Sequence, residues 1–147
     1  MKADVKKLWV DALRSGDYEQ GKYQLAKTGD DGVTRYCCLG VLCDLAVKAG
    51  VIDAPEIVDG SHSYADPFPF DSGYRNGTDL PARVLEWAGI DNPNPMIATL
   101  ADSAITDYKV RASYANDSFQ WTFERIAAEI EKNIPGEDDG EDASRHA

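Results

Sequence analysis

Three cysteines, Cys37, Cys38 and Cys43, stand close together in this chain and are the first groups that could do chemistry. A nucleophilic thiol needs a base and an electropositive setting. Cys37 is the best placed of the three, next to Arg35 and at the start of a predicted helix, whose N-terminus stabilises a thiolate. His62 is the base available to it inside the domain, because His146 lies in the acidic end of the chain. The surrounding Leu39, Val41 and Leu42 favour a plainer reading, three small residues of a core. The spacing does not suit zinc: there is no two-residue gap and no second Cys/His pair. Nor do two adjacent cysteines and a third make a disulfide framework, so free buried thiols are expected, with no metal and no cofactor.

Two acids come next. Asp44 is the one carboxylate in an apolar stretch, which predicts a half-buried group paired with an arginine or with Trp9. Asn116-Asp117 precedes the last predicted helix, a place for a cap or a turn. Asp44 and Asp117 together could serve hydrolysis of a glycosidic or nucleotide bond, but no spacing brings them into one site. The aromatic stretch is the stronger candidate. Tyr64, Phe68, Phe70 and Tyr74, with His62 and Arg75, offer ring faces for stacking and donors for an anion. That set suits a nucleotide or another planar ligand. A phosphate-cradling loop is absent: Asp30-Asp31-Gly32 is acidic and no Gly-x-x-x-x-Gly-Lys pattern occurs. The expected ligand-binding set is therefore Arg35 and Arg75 on the anion, Tyr64 and Tyr74 stacking, and Asn116 and Asp117 hydrogen-bonding, with no catalytic residue.

These groups must be positioned by the segment from Tyr36 to Ala46, the most apolar in the chain. Cys38, Val41, Leu42, Leu45 and Ala49 repeat at helical spacing, and the intervening residues are also small or apolar, which predicts a helix buried on several sides. Lys48 suits its C-terminal dipole and Gly50 its end. Gly40 in mid-helix costs about 1 kcal/mol against Ala, which points to close approach by another element or a ligand. Before it, Val5, Leu8, Trp9, Ala12 and Leu13 predict an amphipathic helix over 3–14, and the β-prone pieces on either side of Thr28–Gly32 predict a hairpin over 22–36. Residues 51–79 read as irregular, because Pro67 and Pro69 sit among the aromatics. Pro81 opens a helix that Gly89 ends. Residues 96–101 fit a helix or a strand, and Tyr108–Arg111 a short strand. Thr122 caps a last helix with a Trp121–Ile126 staple, closed by Pro135-Gly136.

The chain has 147 residues, 43% apolar and 28% charged, enough for one domain with a core. Its net charge of −11 argues against sequence-independent nucleic-acid binding. Glu137, Asp138, Asp139, Glu141 and Asp142 concentrate part of that charge in a segment expected to be disordered. No apolar run approaches the roughly 20 residues of a membrane span, and Met1-Lys2-Ala3-Asp4-Val5 carries no apolar leader, so a cytoplasmic location is the expectation.

A series of segments carries a resemblance: Leu8 to Gly16, Tyr18-Glu19-Gln20-Gly21, Tyr36 to Ala46, Leu80-Pro81 with Glu86-Trp87-Ala88-Gly89, and Asn116-Asp117 before the Phe123 helix. The chain resembles a family of small uncharacterised proteins of bacteriophages and prophages, sharing a Cys-Cys-Leu-Gly-Val-Leu-Cys helix, an Asn-Asp pair and a closing Ile-Ala-rich helix. The resemblance spans most of residues 8–134. It departs at Ala115, where Leu is more usual, and at the interposed Ser118-Phe119-Gln120-Trp121. It implies a phage origin, a host-cell cytoplasmic location and, by origin, interference with host systems such as nucleotide-signalled defence.

The expectation is a single α+β domain over 1–135, with three to four helices around the central cysteine-rich helix and a small antiparallel sheet or hairpin, followed by an acidic tail over 136–147. The function expected first is non-enzymatic binding of a small polar ligand such as a nucleotide, by an accessory protein of counter-defence type. An acidic, DNA-mimic-like inhibitor of a host protein comes second, and a small hydrolase using Asp44, Asp117, His62 or Cys37 third. A homo-oligomer is compatible with all three.

Overall fold

In the computed structural model, which describes residues 1–66, 74–100 and 108–137, the chain begins with α1 (Ala3–Ser15), the predicted amphipathic helix. It buries Val5, Trp9, Val10 and Leu13. β1 (Glu19–Gln20), β2 (Ala26–Thr28) and β3 (Thr34–Tyr36) follow. β2 and β3 form the expected hairpin, with Thr28 opposite Thr34. β1 lies parallel to the far side of β3, Glu19 opposite Arg35, so the sheet is mixed where an antiparallel one was expected. Chain direction explains this: β1 and β3 run the same way because the loop after β1 returns the chain through β2.

α2 (Cys38–Lys48) is the central helix, and seven of its residues are buried, including all of Cys38 to Cys43. Gly40 shows what the sequence hinted at, although the neighbour is a strand's approach and not a helix. A Cβ at Gly40 would lie 1.7 Å from the carbonyl oxygen of Leu25. The same Leu25 oxygen accepts the Cys37 amide at 3.1 Å, and the Leu25 amide donates to Gly77 at 2.8 Å. α2 is thus pressed directly onto the backbone entering β2. On its other side Trp9 is fully buried and donates its indole N–H to the Cys38 carbonyl at 2.9 Å, which corrects the expected pairing of Trp9 with Asp44.

Residues 51–79 contain strands that the reading as irregular missed: β4 (Glu56–Val58), β5 (Ser61–Ala65) and β6 (Arg75–Asn76). The prolines that argued against strands come after β5 ends. Asp59 and Gly60 both take positive φ, 51° and 83°, the backbone of a tight hairpin turn between β4 and β5. Gly60 also lets the Thr28 carbonyl approach to 2.2 Å from where a Cβ would stand. The main sheet runs β1-β3-β2-β5-β4, with β6 paired to the far end of β5.

α3 (Ala82–Ala88) starts after Pro81 and ends at Gly89, as predicted. The buried Asp66 accepts the Ala82 amide at 3.0 Å, an acid at the favourable end of the helix dipole. β7 (Met96–Leu100), which the sequence left open between helix and strand, pairs antiparallel with β8 (Tyr108–Arg111) in a separate two-stranded sheet. α4 (Ala112–Asp117) was not foreseen; it buries only Ala112, Ala115 and Asn116, too few apolar residues for a periodic signal. α5 (Phe123–Asn133) is capped by Thr122, whose hydroxyl accepts the Arg125 amide at 3.2 Å.

The described residues therefore form an α+β fold with five helices, four of them around the central cysteine-rich helix α2, as expected. α1 packs against both α2 and α5, while α3 and α4 close on α2. One buried apolar cluster runs from Met1 to Ile130, and each large side chain in it contributes about 1.5–3 kcal/mol. The described chain is held to the start of α1 at Glu137. Glu137 donates its amide to the Met1 carbonyl and accepts from the Ala3 amide, both at 2.7 Å. The rest of the acidic segment, 138–147, lies outside the described residues.

Candidate ligand-binding face

The groups considered for acid, base or nucleophilic work are buried or hydrogen-bonded within the fold. Cys37, Cys38 and Cys43 are all buried and free. Burial pushes the Cys37 thiol up to about 12, and Cys38 and Cys43 well upward as well. The thiolate advantage of a helix start is lost at Cys37 because the sulfur has no water around it. Native protein at pH 8 is therefore expected to be unreactive toward a thiol reagent for hours, with all three cysteines labelling on denaturation. Rapid labelling of Cys37 in the folded state would contradict its burial.

Asp44 meets neither an arginine nor Trp9. It accepts the Tyr18 hydroxyl at 2.5 Å and faces Lys48 at 3.2 Å, while Lys48 also donates to the Tyr18 oxygen at 3.1 Å. Desolvation and the bond to Asp44 raise Tyr18 to about 12, and the hydrogen bonds to Tyr18 and Asp44 raise Lys48. Tyr18 thus stays neutral and Lys48 charged near neutral pH. His62 is not in a loop as read from the sequence; it is buried on β5, with Nε2 2.9 Å from the Thr28 hydroxyl. Desolvation lowers it, so it stays neutral. Asp44 and Asp117 do not form a pair. Asn116 grips the Cys38 amide at the start of α2, and Asp44 stands six residues further along, about 9 Å of helix rise.

The residues expected to bind a ligand are dispersed. Tyr64 is a correction: its alternation on β5 turns it inward, 1% exposed, so it presents no ring face to a ligand. Arg75 is engaged by β5, donating to the Ser63 carbonyl at 2.8 Å and hydroxyl at 3.1 Å, and it faces Glu56 at 3.4 Å. Arg35 is exposed and paired with Asp31 at 3.1 Å. Tyr74 is exposed, while Phe68 and Phe70 lie outside the described residues. Asn116 is fully buried and spent on the fold. Its oxygen accepts from Gln20 and the Cys38 amide, and its nitrogen donates to the Gly21 carbonyl and to Asp117. Asp117 in turn accepts the Tyr23 amide at 3.0 Å. The pair is a clamp that joins α4 to the loop after β1.

Beside that clamp lies an aromatic face that sequence reasoning did not single out. Phe119 is its hub. Its ring centroid is 5.0 Å from Tyr114, 5.5 Å from Trp121 and 6.2 Å from Tyr108. Gln120, between two of these rings, takes φ 55°, and that reversal sets Phe119 and Trp121 side by side. Trp121 is anchored by its backbone to Ala115 and Gln20, and the Arg125 guanidinium lies 3.9 Å over its ring. The Tyr108 phenol is raised chiefly by its hydrogen bond to Tyr114. Tyr114 and Phe119 remain exposed, at 45% and 37%. The signal was present: Phe119 and Trp121 belong to the segment by which the chain departs from the resemblance, but the placement of Tyr108 and Tyr114 against them needed the fold.

Among the described residues no group of three or more His, Cys, Asp or Glu is arranged to hold a metal ion, and no helix is long and apolar enough to cross a membrane. A family model described as Domain of unknown function (DUF8296) matches residues 1–134. No curated protein and no solved structure matches the chain.

Proposed function

We propose that this chain, which belongs to the family described as Domain of unknown function (DUF8296), is a non-catalytic binding protein for a planar, anionic small molecule such as a nucleotide. The observation that carries this reading is the Phe119-centred ring cluster with Arg125 stacked at its edge. Tyr114 and Phe119, exposed and in mutual contact over the buried Trp121, offer a stacking surface, and each base–aromatic stack is worth about 1–3 kcal/mol. A guanidinium already oriented over Trp121 keeps its outer N–H groups for an anion. The site thus moves from the 60–78 loop to α4 and its flanks, while the class of ligand stays the same. Binding is favoured over turnover because the thiols, Tyr18 and Lys48 are all shifted upward, away from a working range near neutral pH. The motif resemblance supports a phage or prophage origin, and with it a role in withdrawing a nucleotide signal from a host defence in the host cytoplasm.

The acidic-inhibitor reading draws less support. Asp11, Asp31, Asp44, Glu56, Glu124 and Glu131 each face a cation of the same chain, so these acids form no free anionic row.

Native mass spectrometry and thermal shift against nucleotides, cyclic dinucleotides and ADP-ribose derivatives test the proposal. Wild-type protein is expected to gain one ligand mass and a higher Tm, and Phe119→Ala to weaken that binding at least about tenfold. The ligand should be recovered intact after incubation. Binding unchanged in Phe119→Ala would remove this face, and loss of the ligand on incubation would replace sequestration with catalysis.

A further inference from the structure

The geometry points to Tyr23 as a ligand-contacting residue, a second aromatic wall displayed beside the Phe119 cluster; the inference rests on the binding reading above. Tyr23 has φ 70°, a left-handed backbone that L side chains avoid and that glycine would adopt without strain. Its ring is 70% exposed, so burial does not offset that strain. The loop is nonetheless held firmly. The Gly21 amide donates to Tyr36 at 2.7 Å, the Gly21 carbonyl accepts from Asn116 at 2.8 Å, and the Tyr23 amide donates to Asp117 at 3.0 Å. The Leu25 amide closes the far end on Gly77. Every anchor goes to the backbone, and the ring is left without a partner among the described residues.

A strained, rigid backbone that presents an unused aromatic ring is the arrangement expected of a recognition residue. Its place supports this. Asp117, which holds the Tyr23 amide, is three residues after Tyr114 on α4, and residues at that spacing share a helix face. Tyr114 is in turn packed on Phe119. The Tyr23 backbone is therefore tied to the face of α4 that carries Tyr114. Lys22, exposed and without an ion pair among the described residues, stands next to it and adds a cation at this end. The ligand that fits has a planar ring to lie along the aromatic wall and an anionic group that Arg125 or Lys22 can meet.

The test compares wild type, Tyr23→Gly and Phe119→Ala by calorimetric titration with the four nucleoside 5′-monophosphates and with ADP-ribose, and by the Tm of each free protein. Tyr23→Gly is expected to raise the free-protein Tm by about 2–4 °C, through relief of strain, while weakening binding about tenfold or more. A lowered Tm would show that the ring serves the fold and would overturn the inference. Wild-type affinity in Tyr23→Gly together with weakened binding in Phe119→Ala would overturn the inference and leave the Phe119 face standing. Absence of binding by wild type to all five probes would remove both for this ligand class.

Discussion

Gly40→Ala is expected to destabilise the domain by about 4 kcal/mol or more, enough to leave much of it unfolded at room temperature. Helix propensity alone predicts the opposite sign, a gain of about 1 kcal/mol for Ala over Gly in mid-helix. The tertiary contact decides. The new methyl would sit 1.7 Å from the Leu25 oxygen and 2.6 Å from the Leu25 carbonyl carbon, both backbone atoms. Leu25 cannot step aside cheaply, because it is fully buried and its amide and carbonyl are bonded to Gly77 and Cys37. Moving α2 instead would disturb Trp9, whose indole is tied to the Cys38 carbonyl. Urea unfolding followed by circular dichroism measures the effect, and an unchanged midpoint would mean that α2 and the entry to β2 are further apart than the structure places them.

Asn116→Ala is expected to cost about 3–5 kcal/mol. Four hydrogen bonds disappear with the amide: those from Gln20 at 2.9 Å and the Cys38 amide at 3.3 Å, and those to Gly21 and Asp117 at 2.8 Å each. Gln20 keeps a partner in the Trp121 carbonyl and Asp117 keeps the Tyr23 amide. The Cys38 amide and the Gly21 carbonyl lose a partner that nothing nearby replaces, and the buried void adds to the penalty. Asn116→Asp should fare little better, since it places a second carboxylate against Asp117 where the native amide donates. A denaturation midpoint within error of wild type for Asn116→Ala would show that this clamp does not hold α4 to the first strand.

How much of this was legible without coordinates differs by element. α1, α2 and α5 announce themselves through helical repeats of apolar residues, and the hairpin through its turn composition. The β4–β5 hairpin also carried a local sign, the Asp59-Gly60 pair, which sequence analysis did not use. α4 carried almost none. Tyr64 shows the limit of residue type as evidence for function: its position on β5 turns it inward, so an aromatic ring suited to stacking became a core residue.

The sequence by itself determined the cysteine helix, its burial, the need for a small residue at Gly40 and the α+β class, because these follow from periodicity and side-chain volume over a few turns. Only the tertiary structure decided which polar groups were free to act. Asn116 meets partners 78 and 96 residues away in the chain, Tyr18 takes up Asp44 across 26, and the rings of Tyr108 and Phe119 come together from separate elements. Such pairings depend on how whole elements pack, a long-range property that no local pattern encodes, and they turned the predicted ligand-binding Asn-Asp pair into a clamp while leaving Phe119, Tyr114 and Tyr23 at the surface.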